Sequence, residues 1–333
     1  MKIENFGIKI IEQKKLFILI GVVLMVASLG IIFGLGIRPS IDFTGGSLME
    51  VSYDNRPAKE VIESSLNGFE LGGYSLRKSV DESGRGSYQL RTRDLSEEER
   101  SAIESVMVGE EVSGEITRFT SIGPVIGDEL QEKSKWAIGA VALIIVIYIA
   151  FAFLGVRWPV GSSVYGGITV LSLAHDVLVP AAMMAILGYF FGIEADVLFV
   201  MALLAVLGYS VNDTIVVFDR VRENIVKYRN EHKRTVSGPG GLTNEEVTYS
   251  FNKPFSEIVG LSVSETLLRS INTSLTTALV LLALYFFGGE VTKTFALVLL
   301  AGVIAGAYSS IFFASPLLVW YAEWREGRNK AKA

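Results

Sequence analysis

The stretch 208-GYSVNDTIVVFDRVREN-224 decides how the chain is read. Upstream, from about residue 197, the sequence is apolar enough to lie in lipid; downstream it breaks into alternating charges. Between the two stand Asn212 and Asp213. A carboxylate at that depth costs free energy unless a partner offsets it, so the stretch predicts a membrane span with a special position inside it.

Working outward, half of the 333 residues are hydrophobic and the mean hydropathy is +0.44. Long uncharged runs alternate with charged blocks, the pattern of an integral membrane protein. A bilayer core about 30 Å thick takes roughly 20 apolar residues as helix. Six runs qualify: about 16–36, 136–153, 160–187, 197–218, 267–287 and 294–321. The first is too long for a signal-peptide core and has no small-x-small cleavage site before the next block, so it reads as a retained anchor. Lysines and arginines crowd before span one, after span four and after span six, while the loop after span three has none. That bias predicts cytoplasmic termini and puts the block between spans one and two outside. The divisions that follow are 1–37 (N-terminus and first span), 38–132 (outer domain), 133–218 (spans two to four), 219–266 (cytoplasmic loop), 267–321 (last two spans) and 322–333 (tail).

The outer block carries its own pattern. SLMEVSY alternates as a strand, PAKEVIESSL opens a helix at Pro57, and YSLRKSV and SYQLRTR flank a hairpin turn. SEEERSAIESVM has Ser96 with Glu99 three residues on, a capping box, and EITRFTSIG closes as a strand. The order βαββαβ is that of a ferredoxin-like unit. The fold class expected is therefore an α-helical membrane protein of six spans with an extracytoplasmic α+β domain.

Several chemistries are argued against by composition. No cysteine is present, which removes disulfides and thiolates, and two histidines, His175 and His232, argue against zinc. The net charge of −5 gives no reason to expect nucleic acid. No phosphate-binding G-x-x-x-x-G-K-[ST] run and no nucleophile–base pair occurs. The sequons NDT and NTS fall inside spans, where no sugar can be attached.

The polar residues within the spans are then the leading clue. Asp213 lies about 9 Å along the helix from Asp219, with Tyr209 and Ser210 on its face. In span five Arg269, Asn272, Thr273 and Thr276 form one stripe at i, i+3, i+4 and i+7. An acid and a base at matching depth predict a pair, serving either a proton path or the joining of two helices. Asp176 forms a stripe with Thr169 and Ser172, and Pro180 frees its carbonyl. It reads equally as a second relay group or as a polar group satisfied by a neighbour. His175 reads as a packed or hydrogen-bonded residue rather than a ligand, Glu194 and Asp196 as solvated loop residues, and Gly45 and Gly46 as a turn with the freedom to hinge.

Four blocks, IDFTGGSLMEV, SIGPVIGDEL, LGYSVNDTIVVFDRVREN and LLRSINTSLTTALVLLAL, together resemble the signature blocks of the SecF family of the bacterial SecD/SecF export machinery. The resemblance implies the six-span half-bundle of resistance-nodulation-division transporters. It also implies an inner-membrane protein that couples the proton-motive force to polypeptide export, with protons as coupling ion and no other cofactor. Residue by residue it maps the family's proton path onto Asp213 and Arg269; Asn212, Asn272, Thr273 and Asp176, singled out by their place in the spans, are expected to support it. It implies SecD as partner, supplying a further Asp, and association with the SecYEG channel and with YajC and YidC. The segment between spans four and five departs from the family by its length, and SGPGG there has the composition of a flexible linker. Two other classes remain open at this stage: a lipid or small-molecule exporter, and a scaffold without energy coupling.

Overall fold

A computed structural model describes residues 5–81, 83–109, 113–153, 160–237 and 243–330. It contains six helices long and apolar enough to cross a membrane. A short helix, α1 (Phe6–Glu12), precedes the first span, α2 (Lys14–Leu35). One helical turn, α3 (Ile41–Thr44), then leads into the sheet domain.

That domain runs β1 (Gly46–Tyr53), α4 (Lys59–Leu66), β2 (Ser75–Val80), β3 (Gly86–Thr92), α5 (Glu97–Met107) and β4 (Gly114–Ile122). The strands form one antiparallel sheet in the order β2-β3-β1-β4, the ferredoxin-like arrangement. Alternation puts Met49, Val51 and Tyr53 of β1 on one face, against Ile62 and Leu66 of α4 and Ile103 and Met107 of α5. The Tyr53 hydroxyl, buried with its ring, donates to the Met107 carbonyl at 3.0 Å. At the start of α5 the Ser96 hydroxyl accepts from the Glu99 amide while the Glu99 carboxylate accepts from the Ser96 amide.

Only Gly123 separates β4 from the second span, α6 (Pro124–Ala152), so the helix begins well before the apolar run at about 136. The third and fourth spans are α7 (Ser162–Phe191) and α8 (Val197–Lys227). Strands β5 (Arg229–Ser237) and β6 (Thr243–Phe251) pair as a hairpin, so a structured projection replaces most of the expected loop. The glycine-rich part of SGPGG lies outside the described residues. Span five, α9 (Phe255–Phe287), starts a dozen residues before the expected 267, because PFSEIVGLSVSET is helical as well. Span six is α10 (Glu290–Tyr308), a π-helical segment (Ser309–Ala314) and α11 (Ser315–Lys330).

Burial ranks the spans. About half of the most apolar stretch is buried in α7, in α8 and in span six, against 11% in α2, α6 and α9. The centre of the bundle is thus α7, α8 and span six, and the other three present broad outer faces. Close approach is achieved with glycine: a Cβ on Gly302 would stand 2.1 Å from Val206 of α8, and one on Gly7 2.1 Å from the Gly260 carbonyl of α9. Small residues that let backbones meet are the usual means of helix association in lipid.

Candidate functional site

Asp213 lies in the middle of α8 and faces inward, only 8% exposed. Its Oδ1 accepts a hydrogen bond from the Ser270 hydroxyl of α9 at 2.6 Å, and its Oδ2 one from Ser310 of the π segment at 2.8 Å. One turn earlier on α8, the Ser210 hydroxyl donates to Asp176 Oδ2 of α7, and Ser309 donates to the same oxygen at 2.7 Å. Asp176 is fully buried, and its Oδ1 lies 2.8 Å from His175 Nδ1. Two carboxylates on two of the three central spans, α7 and α8, are therefore each held by hydroxyls, and consecutive residues of the third, span six, serve both. Hydrogen bonds to a charged group contribute about 1.5–3 kcal/mol each, which offsets part of the cost of burying the acids.

The π segment makes this double service possible. A π turn inserts one residue into the helix, and such turns concentrate at functional sites. Here Ser309, Ser310 and Ile311 are all buried, so adjacent hydroxyls reach different acids.

The structure does not bring Arg269 to Asp213. Ser270, the next residue, bonds the carboxylate, so the two are level; but one residue is 100° around a helix, and Arg269 points to the outside of the bundle. Among the described residues no ion pair joins Arg269 to a carboxylate. Asn272, Thr273 and Thr276 are exposed on the same outer stripe, their threonine hydroxyls donating to carbonyls of their own helix. Asn212 is exposed too. Tyr209 of α8 accepts from Thr277 of α9 at 3.2 Å. A cation and several amides and hydroxyls thus face outward from membrane spans, where lipid offers them no partner.

Glu194 and Asp196, expected to be solvated, are engaged. Glu194 pairs with Arg91 at 2.9 Å and Arg77 at 3.2 Å, two arginines of the sheet domain. Arg77 also donates to the Gly192 carbonyl at 2.6 Å and Arg91 to Thr44 at 2.6 Å. Asp196 caps α8 by accepting from the Phe199 amide at 2.9 Å, and Asp42 accepts from the Val197 amide at 3.0 Å. Burial above all, reinforced by the Asp42 charge, holds the Asp196 carboxyl above its ordinary range. Gly45 and Gly46 take φ of +67° and +116° and are packed tightly, a Cβ on Gly46 standing 2.5 Å from the Thr92 carbonyl. They form a fixed seam rather than a loose joint. At the opposite end of the bundle, Asn224 of α8 donates to Ser262 and Glu265 of α9 at 3.0 Å each.

The serines escaped the sequence reading, apart from Ser210. Hydroxyls are ordinary in membrane helices, and span six carries no charge to draw the eye. The available signal was the small-residue spacing Gly302, Gly306, Ser310.

Six spans, a pair of buried carboxylates between the central ones and one small α+β domain after the first define a multi-pass membrane protein of the transport class. Residues 30–55 match the SecD/SecF GG Motif, and residues 102–238 and 243–324 match Protein export membrane protein SecD/SecF, C-terminal. Protein translocase subunit SecF of Sebaldella termitidis is 35% identical over 326 residues, 98% of this chain and 95% of the relative. That of Thermobaculum terrenum is 36% identical over 320 residues, 94% and 93% of the two. The crystal structure of SecDF from Thermus thermophilus, a translocon-associated membrane protein, superposes with a TM-score of 0.75 at 28% identity. It covers 94% of this chain, which spans 38% of that longer one. The chain belongs to the SecD/SecF family of protein export membrane proteins, on its SecF side.

Proposed function

We propose that this chain is one half of a proton-coupled export device of the bacterial inner membrane, completed by a SecD-type subunit. Asp213 is the proton carrier. When ionised it is held by Ser270 and Ser310; on taking a proton it loses its need for two donors, and the contact between α8, α9 and span six relaxes. The outward polar stripe of Arg269, Asn272, Thr273 and Thr276 is the face that SecD covers, where Arg269 meets a carboxylate supplied by that partner. Each charge moved across the membrane yields about 2.3 kcal/mol per 100 mV, enough to bias a two-state change by tens of fold. The change is passed to the sheet domain, which acts on a polypeptide emerging from the SecYEG channel, with the termini of this chain on the cytoplasmic side.

The observation that carries this reading is a buried carboxylate in a central span at the level of an arginine that no carboxylate among the described residues pairs with. The experiment compares release of an exported substrate with and without a proton gradient. Wild type and Asp213→Asn are each co-expressed with the cognate SecD. Loss of gradient dependence in an assembled Asp213→Asn complex is expected; full gradient-dependent release by that variant overturns the reading and leaves the scaffold role.

A further inference from the structure

Nothing in the path just described uses His175 and Asp176, yet they are the most completely buried titratable pair among the described residues of the spans, at 1% and 0% exposure. Their chemistry is open. With Nδ1 directed at a carboxylate, the neutral ring carries its hydrogen there and leaves a lone pair on Nε2. That Nε2 is buried and has no hydrogen-bond partner, while the ring lies between Tyr308 at 5.7 Å and Phe313 at 5.8 Å. A free imidazole nitrogen beside a buried carboxylate is a place for one more proton.

The link to Asp213 runs through Ser309 and Ser310. Each hydroxyl has a single hydrogen and two acceptors in reach. Ser309 reaches Asp176 at 2.7 Å and the Gly306 carbonyl at 3.2 Å; Ser310 reaches Asp213 at 2.8 Å and the same carbonyl at 2.6 Å. Facing an ionised acid, a hydroxyl donates to it. Facing a protonated acid, it accepts instead and turns its hydrogen to Gly306. The two rotors share one acceptor and are neighbours in the chain, so the charge at one acid is felt at the other.

Other charges around the pair are few. Lys14 of α2 is engaged by Glu323 of α11 at 2.8 Å, and Lys15 is exposed. Neither α6 between Trp136 and Ala152 nor α10 between Thr294 and Tyr308 contains a charged residue. Arg269 of α9 points outward. Among the described residues Asp213 and Tyr209 of α8 remain, with Tyr308 against the ring.

We infer that His175 and Asp176 form a second proton-holding site in this chain, coupled to Asp213 through the Ser309 and Ser310 hydroxyls. A proton binds the Nε2 lone pair, and the pair passes from one negative charge to an imidazolium–carboxylate couple of no net charge. Two buried carboxylates served by neighbouring hydroxyls share a hydrogen-bond arrangement, so filling one site changes how readily the other fills, as in any coupled titration. The inference rests on the reading that Asp213 exchanges a proton, and its test is read separately.

The chain has two histidines, so His232→Gln leaves His175 as the sole source of histidine ring signals. The full chain with that change, labelled with 15N-histidine and held in lipid nanodiscs, is followed by NMR between about pH 5 and 8, the range in which imidazole exchanges its proton. The His175 ring nitrogens are expected to pass from the neutral to the doubly protonated pattern. Asp213→Asn should displace that response along the pH axis, as expected for loss of a coupled acid. Ser309→Ala with Ser310→Ala, which keeps both acids, should shrink the displacement caused by Asp213→Asn. A ring that holds one pattern throughout, or a response indifferent to Asp213→Asn, overturns the inference. If Asp213→Asn abolishes gradient-dependent release while the His175 signals stay unmoved, only this inference fails. If release is unaffected by Asp213→Asn, the proton-carrier reading fails whatever the spectra report.

Discussion

Gly302→Ala tests whether the α8–span six contact is as tight as its geometry implies. The added Cβ would stand 2.1 Å from Val206 Cγ2, 2.9 Å from Cγ1 and 3.0 Å from Cβ. Carbon atoms pack at about 3.5–4.0 Å, so roughly 1.5 Å is missing. Val206 cannot swing aside, because a β-branched side chain in a helix has one strongly preferred rotamer and this one is 1% exposed. The helices must part, at a cost of about 1–3 kcal/mol as overpacking. Gly306→Ala meets Ser210 Cβ at 3.3 Å and needs only a few tenths of an ångström, so it should cost less. Thermal unfolding of the detergent-solubilised chain ranks the three: wild type, Gly306→Ala, Gly302→Ala. A double variant with Val206→Ala removes the clashing methyls. It should be more stable than the two single losses added together, by a coupling of about 1–3 kcal/mol. A Gly302→Ala chain as stable as wild type, or losses that simply add, would refute the packing argument. Because Gly302 lies two turns from Ser309 and Ser310, the same substitution should, on the proposed function, also weaken gradient-dependent release.

Three further outcomes follow from the end contacts. Asp196 has its folded-state pKa raised above the ordinary 3.8, so its contribution to stability is fully present below that value and is lost as pH rises through the folded one. Asp196→Asn keeps the cap on α8 and should flatten this acid-side pH dependence in thermal melts, whereas Asp196→Ala should cost about 1 kcal/mol at neutral pH. Glu194→Gln removes the charge that Arg77 and Arg91 share, and hydrogen exchange should rise across the 192–197 connection while the sheet interior stays protected. Gly7→Ala would put a Cβ 2.1 Å from the Gly260 carbonyl and break the 2.9 Å bond from the Gly7 amide to Ser264. Protease should then cut within 5–13, where wild type resists.

Spans and sheet domain were legible because their signals are local: apolar runs of bilayer length, strand alternation, and Ser96 with Glu99 at capping-box spacing. Asp213 was legible because a carboxylate within a span stands out. Its partner was not. Depth can be read from a sequence, but the rotation of α9 about its own axis is set by packing at Gly260, Ser262 and Ser264, and that rotation brings Ser270 rather than Arg269 to the acid. Helix ends were misjudged for a related reason. Hydropathy marks where lipid begins, while α6 and α9 continue as helix beyond it. Glu194 looked like a loop charge because its partners, Arg77 and Arg91, lie more than a hundred residues away along the chain, and Asp196 because its capping role depends on where α8 begins.

Between Arg38 and Ser40 on one side and Ala195 on the other, the backbone itself is stitched, with the Ala195 amide bonding the Arg38 carbonyl and the Ser40 amide the Ala195 carbonyl, both at 2.8 Å. The sheet domain therefore has no slack leads. One root is spliced to the start of the helix bearing Asp213, and the other passes through a single glycine into α6. If α8 tilts as the proposed function requires, the tilt has nowhere to dissipate at the sheet-domain end and must appear as a swing of the whole domain, like an oar against its rowlock. Lengthening either root by a few glycines should uncouple the stroke while leaving blade and handle intact.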